Sequence, residues 1–205
     1  MSASSTPPGD ASENRRDAIL RVATRLFQRH GFSGTSVNRI AEECGMTPAN
    51  LYWYFPSKQK LLEAALVSLY RSSYEALIGV DDPVRPAAER LHAYVFAFVT
   101  LQLEDRGEEI NFGYLALQSS LEAEEREEIR NWERTHRGLI KDILDHGVAT
   151  GEFEIPDVSL AASMLVTGVE HVFLWFRPDG RLTIAQVAEE YARLALRMVG
   201  APAAR

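Results

Sequence analysis

Residues 35–58 read TSVNRIAEECGMTPANLYWYFPSK, and the fold turns on how this stretch is divided. Thr35 or Ser36 can cap a short helix that carries Val37, Ile40, Ala41 and Cys44 on one side. Gly45 stops it, and Met46 with Thr47 makes a brief turn. Thr47 is a good N-cap, and Pro48 suits a first helical position, where its missing N–H is not needed. The second short helix runs to about Tyr54; Pro56 interrupts, Ser57 caps again, and Lys58 opens a longer helix.

Four consecutive aromatics, Tyr52 to Phe55, close the second helix, in a chain with three Trp, seven Tyr and nine Phe. Successive helical residues point about 100° apart, so the four cannot share one core. Leu51 and Phe55 stand four apart and face inward with Ile40 and Leu26 or Phe27. Tyr52, Trp53 and Tyr54 then point elsewhere, and apolar surface on so short a helix calls for a cover. One cover is DNA. Two short helices joined by a glycine-containing turn fit a helix-turn-helix, whose second helix enters the major groove. A tyrosine hydroxyl there can bond a phosphate, and an aromatic edge can touch a thymine methyl. The other cover is protein: the aromatics would staple a small three-helix domain to the rest of the chain.

Working outward, residues 1–12 are rich in Ser, Pro, Gly and Ala and read as a disordered tail. From Glu13 a helical period begins, with Ile19, Val22, Ala23, Leu26 and Phe27 in one stripe and Gly31 as the C-cap. The helix after Ser57 carries Leu61, Leu62, Ala65, Leu66 and Leu69 and runs to about residue 79. Further helices are expected over 86–105, 108–119, a long acidic-headed segment ending at Gly151, 157–176, and from Thr183 to Val199. Residues 160–176 are apolar nearly all round, which predicts burial on several sides. The class is all-α, with a head over 13–60 and a larger helical domain over 61–200.

The net charge of -7 is unevenly spread. Residues 1–60 hold eight Lys and Arg against five Asp and Glu, and the remainder holds 14 against 24, a mildly basic head on an acidic body. Cys44 is the single cysteine, which excludes an internal disulfide. The N-terminus has neither the basic nor the apolar region of a secretory signal, and no stretch approaches 18 apolar residues. A cytoplasmic protein with no membrane contact is expected.

The segment AILRVATRLFQRHGFSGTSVNRIAEECGMTPANLYWYFPSKQKLLEAAL resembles the DNA-binding domain of the TetR family of bacterial transcriptional regulators. The resemblance rests on Gly31-Phe32, Thr35-Ser36-Val37, Ile40-Ala41, Gly45, Leu51-Tyr52, Tyr54-Phe55 and Ser57-Lys58 before Leu61-Leu62. It covers residues 15–66; beyond residue 70 only the helical architecture is similar. It implies that Thr47, Pro48, Ala49, Asn50, Tyr52 and Trp53 lie at or near base edges. Tyr54 and Lys58 would hold phosphates, helped by Ser36 and Arg39. Cys44 stands where the family usually has alanine and reads as packing. The second short helix lacks Arg, Lys and Gln, leaving Asn50 as its one bidentate base reader. Specificity would then lean on methyl contacts and DNA shape.

Helix-turn-helix proteins usually bind as pairs, with half-sites about 34 Å or a multiple apart. The last two helices carry the most continuous apolar surface; part of it could be a two-fold homodimer face, as the resemblance also implies, or 157–176 could be an internal core helix with no dimer role. Phe96, Phe112, Tyr114, Trp132, His136, His171 and Trp175 could line a small-molecule effector pocket, with Glu170 and His171 as polar anchors. Each could equally be ordinary core. The resemblance implies a repressor released by its effector, with the helix from 57 to about 79 as relay. Glu133 and His136 have the Glu-x-x-His spacing of di-iron bundles, but such sites need a second motif and two further Glu. No phosphate loop, Cys-x-x-Cys or nucleophile elbow is present, so no cofactor and no enzymatic activity are expected. The alternative function is a helical small-molecule-binding module that reads no operator.

Overall fold

The computed structural model describes residues 8–104 and 114–201, and the side chains of 14–104 and 116–201. The described residues contain α1 (Pro8–Gly34), α2 (Val37–Glu43), α3 (Pro48–Tyr54), α4 (Lys58–Val80), α5 (Ala87–Glu104), α6 (Tyr114–Gln118), α7 (Glu125–Thr150), α8 (Val158–Glu170), a 3₁₀ turn (Val172–Leu174) and α9 (Ile184–Met198). No strand occurs among them. They fall into two compact units, residues 8–69 with 114–130, and residues 70–104 with 131–201.

The first unit is built as its caps dictate. Gly31 interrupts α1 with φ 71°, a conformation that favours glycine. The buried Thr35 hydroxyl donates to the Gly31 carbonyl at 2.8 Å, with the Leu26 carbonyl 3.0 Å away. Ser36 accepts the Arg39 N–H, Thr47 the Asn50 N–H and Ser57 the Lys60 N–H, so all three expected caps form. Gly45, at φ 62°, makes the turn between α2 and α3. The core of this unit holds Ile19, Ala23, Leu26, Phe27, Ile40, Ala41, Leu51, Phe55, Leu61 and Leu62. Residues 114–130 join it through α6 against α1 and a bond from Gln59 Nε2 to the Ser120 carbonyl at 3.0 Å.

In the second unit α5 packs chiefly on α9, and α8 covers both. Its core includes Leu91, Val95, Val99, Ile140, Leu144, Val166, Val169, Val187 and Ala192. The start of α5 is tied twice. Glu152 accepts the N–H groups of Ala87 and Ala88, each at 3.1 Å. Arg90, buried, forks onto Asp81 at 2.7 and 2.8 Å. Thr183 and Gln186 form a reciprocal capping box on α9.

Three expectations change. Residues 8–12, expected in the tail, lie in α1. Pro8 needs no N–H partner in a first turn, and acidic residues favour a helix N-terminus. The expected helix over 157–176 ends at Glu170. His171 Nδ1 donates to the Thr167 carbonyl at 2.9 Å, the acceptor that its own N–H would take in a continuing helix, and a 3₁₀ turn follows. Burial on all sides also fails within this chain: Leu160, Met164, Leu174 and Trp175 are each half exposed or more. Of the expected helix over 108–119, residues 108–113 lie outside the described residues.

Candidate nucleic-acid interface

The seven residues of α3 divide by face. Leu51, 1 % exposed, and the following Phe55, 3 % exposed, hold the helix to the core. Tyr52, 47 % exposed, and Trp53, 77 % exposed, face away from it. Thr47, Ala49 and Asn50 are exposed at the N-terminal end, and Pro48 is half-buried. The Trp53 ring meets the Tyr54 ring edge-on, with centroids 4.8 Å apart. The backbone carbonyl of Tyr54 is held by Arg16 Nη1 at 3.3 Å, and that guanidinium lies 4.4 Å over the Phe55 ring.

An open concavity of about 600 Å³ lies along this surface. Thr47, Asn50, Trp53 and Tyr54 line it together with Arg15 of α1 and Glu42 of α2. Arg15 is exposed, and its Nη2 donates to the Cys44 carbonyl at 2.9 Å. Burial pushes the Cys44 thiol up, and the charge of Arg15 pulls it the other way.

The expected phosphate-holding residues surround the helix pair. The Ser36 hydroxyl oxygen accepts in capping α2 and keeps its own O–H to donate, and Arg39 pairs with Glu43 at 3.8 Å, both well exposed. Lys58 sits with Nζ 4.1 Å from the centroid of the Phe32 ring, and burial lowers its pKa. The sequence reading missed Arg15. Its link to the site spans 29 residues, and no local pattern announces it.

The expected effector residues do not form one cluster. In the second unit Trp132 meets Tyr74, Tyr74 meets His136, and His136 meets Phe98, with centroids 5.8 to 6.3 Å apart. His136 is buried, and its Nε2 donates to the Tyr70 carbonyl at 2.7 Å. Phe98 meets Tyr94, whose buried hydroxyl has no hydrogen-bond partner among the described residues. Burial, and after it the charge of Glu170, push the Tyr94 phenol up. Burial and then Glu133 raise Glu170, against the pull of His171 and Arg137. Phe96 instead stacks on His92, His171 on Phe173, and Trp175 on Tyr191, bonding its hydroxyl at 3.2 Å. Phe112 lies outside the described residues, as does Tyr114's side chain. Glu133 accepts from the Tyr70 hydroxyl at 3.5 Å, and the described residues hold no group of three or more His, Cys, Asp or Glu suited to a metal.

A capped helix pair whose second helix packs by one face and bares the other to solvent is the arrangement of a helix-turn-helix DNA-binding protein. Comparison with known proteins agrees. The family described as "Bacterial regulatory proteins, tetR family" matches residues 19–65, and "Tetracyclin repressor-like, C-terminal domain" matches residues 84–199. The chain belongs to the TetR family and is a DNA-binding transcriptional regulator. It is 29 % identical to the HTH-type transcriptional repressor KstR2 of Mycolicibacterium smegmatis over 93 % of this chain and 92 % of that one. Among solved structures it resembles a TetR-family regulatory protein from Rhodococcus RHA1, with TM-score 0.79 and 26 % identity over 92 % of this chain and 98 % of that one. It also resembles AibR in complex with isovaleryl coenzyme A and operator DNA, with TM-score 0.76 and 26 % identity over 88 % and 97 % of the two chains. No helix among the described residues is long and apolar enough to cross a membrane.

Proposed function

We propose that the protein is a homodimeric repressor that binds a two-fold symmetric operator and is released from it by a small-molecule effector. It acts in the cytoplasm as a regulator and catalyses no reaction. The observation that carries this reading is α3: Tyr52, 47 % exposed, and Trp53, 77 % exposed, face solvent beside Asn50. Thr47, Pro48, Ala49, Asn50, Tyr52 and Trp53 meet base edges, and Ser36, Arg39, Tyr54 and Lys58 stand at phosphates. Repression follows the KstR2 relatives, which are repressors by name, and AibR has been crystallised with both operator DNA and an acyl thioester.

The second copy covers the exposed Leu160, Met164, Leu174, Trp175, Leu194 and Met198 of α8, the 3₁₀ turn and α9. We assign the effector to the aromatic series Trp132, Tyr74, His136, Phe98 and Tyr94, with Glu170 and the unpartnered Tyr94 hydroxyl as its polar anchors. Phe96, His171 and Trp175 pair instead with His92, Phe173 and Tyr191, and we place Trp175 on the dimer face. The effector has an apolar body and at least one hydrogen-bonding group. It weakens operator binding only so far as it binds the two conformations differently, and the usual coupling is about 5–150-fold.

Selection of bound fragments from the source genome by the purified protein tests the reading, with a Tyr54→Ala/Lys58→Ala double variant as control. A two-fold symmetric site enriched by the wild type alone is expected. Enrichment by neither protein across a range of salt overturns operator binding.

A further inference from the structure

We infer that Arg15, a residue of α1 outside the helix-turn-helix, is a phosphate contact that completes the DNA-binding surface of α3. The inference rests on operator binding by this head.

α3 has no basic side chain, so it brings no cation to a partner that carries one negative charge for about every 1.7 Å of its length. Its surroundings are less favourable still. Glu42 lines the same concavity, and α2 directs its C-terminal carbonyls, the negative end of the helix, toward Cys44. Arg15 answers both. Its Nη2 donates to the Cys44 carbonyl at 2.9 Å, which offsets that helix end. The same side chain forms part of the concavity wall beside Thr47, Asn50, Trp53 and Tyr54. A guanidinium has five N–H donors and one is engaged here, so the others are available to a ligand. Arg15 projects from α1 and is tethered at the end of α2, so it stands beside α3 and not on the helix that enters the groove. A helix in the major groove is flanked by the phosphates of both strands, and a charged donor that contacts them positions the protein and carries no sequence information.

The test compares wild type, Arg15→Ala and Arg15→Lys on the selected operator and on an unrelated duplex, with affinity measured across a salt series. For Arg15→Ala we expect the slope of log affinity against log salt to become shallower by about 0.9 for each bound subunit. Affinity falls roughly tenfold or more on both duplexes, as for loss of a charged hydrogen bond, and base preference stays unchanged. Arg15→Lys keeps the charge and restores most of the slope. An unchanged slope and affinity in Arg15→Ala overturns the inference. So does a weaker affinity with the wild-type slope and a lowered melting temperature, which makes Arg15 only a brace for the Cys44 carbonyl. A changed preference at one base pair overturns it in favour of base reading. Wild-type protein without salt-dependent DNA binding removes operator binding itself, and Arg15's part with it.

Discussion

Asn50 is exposed at the N-terminal end of α3, and its side-chain amide is the one group of that helix that can pair with an adenine edge through two hydrogen bonds. Asn50→Ala is therefore expected to relax preference at one base pair in each half-site and leave the others alone; a binding logo identical to wild type would refute this. His136 is a residue of the opposite kind, buried and occupied by its own chain. Burial lowers its pKa, and the bond to the Tyr70 carbonyl recovers only part of that. An unfolded histidine takes up a proton below about pH 6.5, whereas the folded one stays neutral to a lower pH. Its contribution to stability is complete above the unfolded value and is lost as pH falls through the folded value. Melting temperature should drop on acidification below about pH 6.5, and less steeply in His136→Gln, whose amide can still donate to Tyr70. Parallel melting curves for the two proteins would rule His136 out as the source. The sequence offers His136 as a cavity-lining residue that could equally be core, and the carbonyl that it bonds lies 66 residues away, beyond the reach of any local pattern.

At the scale of elements, α7 carries two glycines with opposite consequences. A Cβ on Gly147 would collide with the ring of Phe153, which folds back beneath the helix end with its N–H on the Gly147 carbonyl at 3.0 Å. A Cβ on Gly138 would meet nothing within 4 Å. Gly147→Ala should cost about 1–3 kcal/mol through overpacking, whereas Gly138→Ala should stabilise by about 0.5–1 kcal/mol through helix propensity. Denaturant unfolding of both variants checks the pair; equal shifts of the same sign would refute it. The head elements were legible because each has a chemical stop: Thr47 with Pro48, Ser57 and Gly45 fix their ends within one residue or two. The end of α8 was not legible. A run apolar nearly all round has little periodicity to lose, and the signal that breaks it is one imidazole bonding backwards to Thr167. Expected pocket residues scattered for a related reason. Trp175 is apolar like its neighbours, and its partner Tyr191, 16 residues on, is not marked by any local pattern.

On the scale of the whole molecule, the exposed apolar side chains of α8 and α9 are the proposed homodimer face. Leu160, Met164 and Leu194 are each more than half exposed in the single chain, which is unusual for three large apolar residues on two packed helices. Met164→Glu/Leu194→Glu is expected to yield a folded monomer in sedimentation velocity. Its operator affinity should fall to that of one half-site, since the second recognition event is no longer intramolecular. A persistent dimer would move the interface elsewhere.

The division of α3 has a further consequence, for descent rather than for binding. Leu51 and Phe55 hold the helix in place, while Asn50, Tyr52 and Trp53 take no part in the core. Exposed substitutions of this kind change stability by only about half a kcal/mol. After a gene duplication, one copy could exchange these three side chains and acquire a new set of target promoters with its fold undisturbed. Change at Leu51 or Phe55 would instead be eliminated by misfolding before any new target was found.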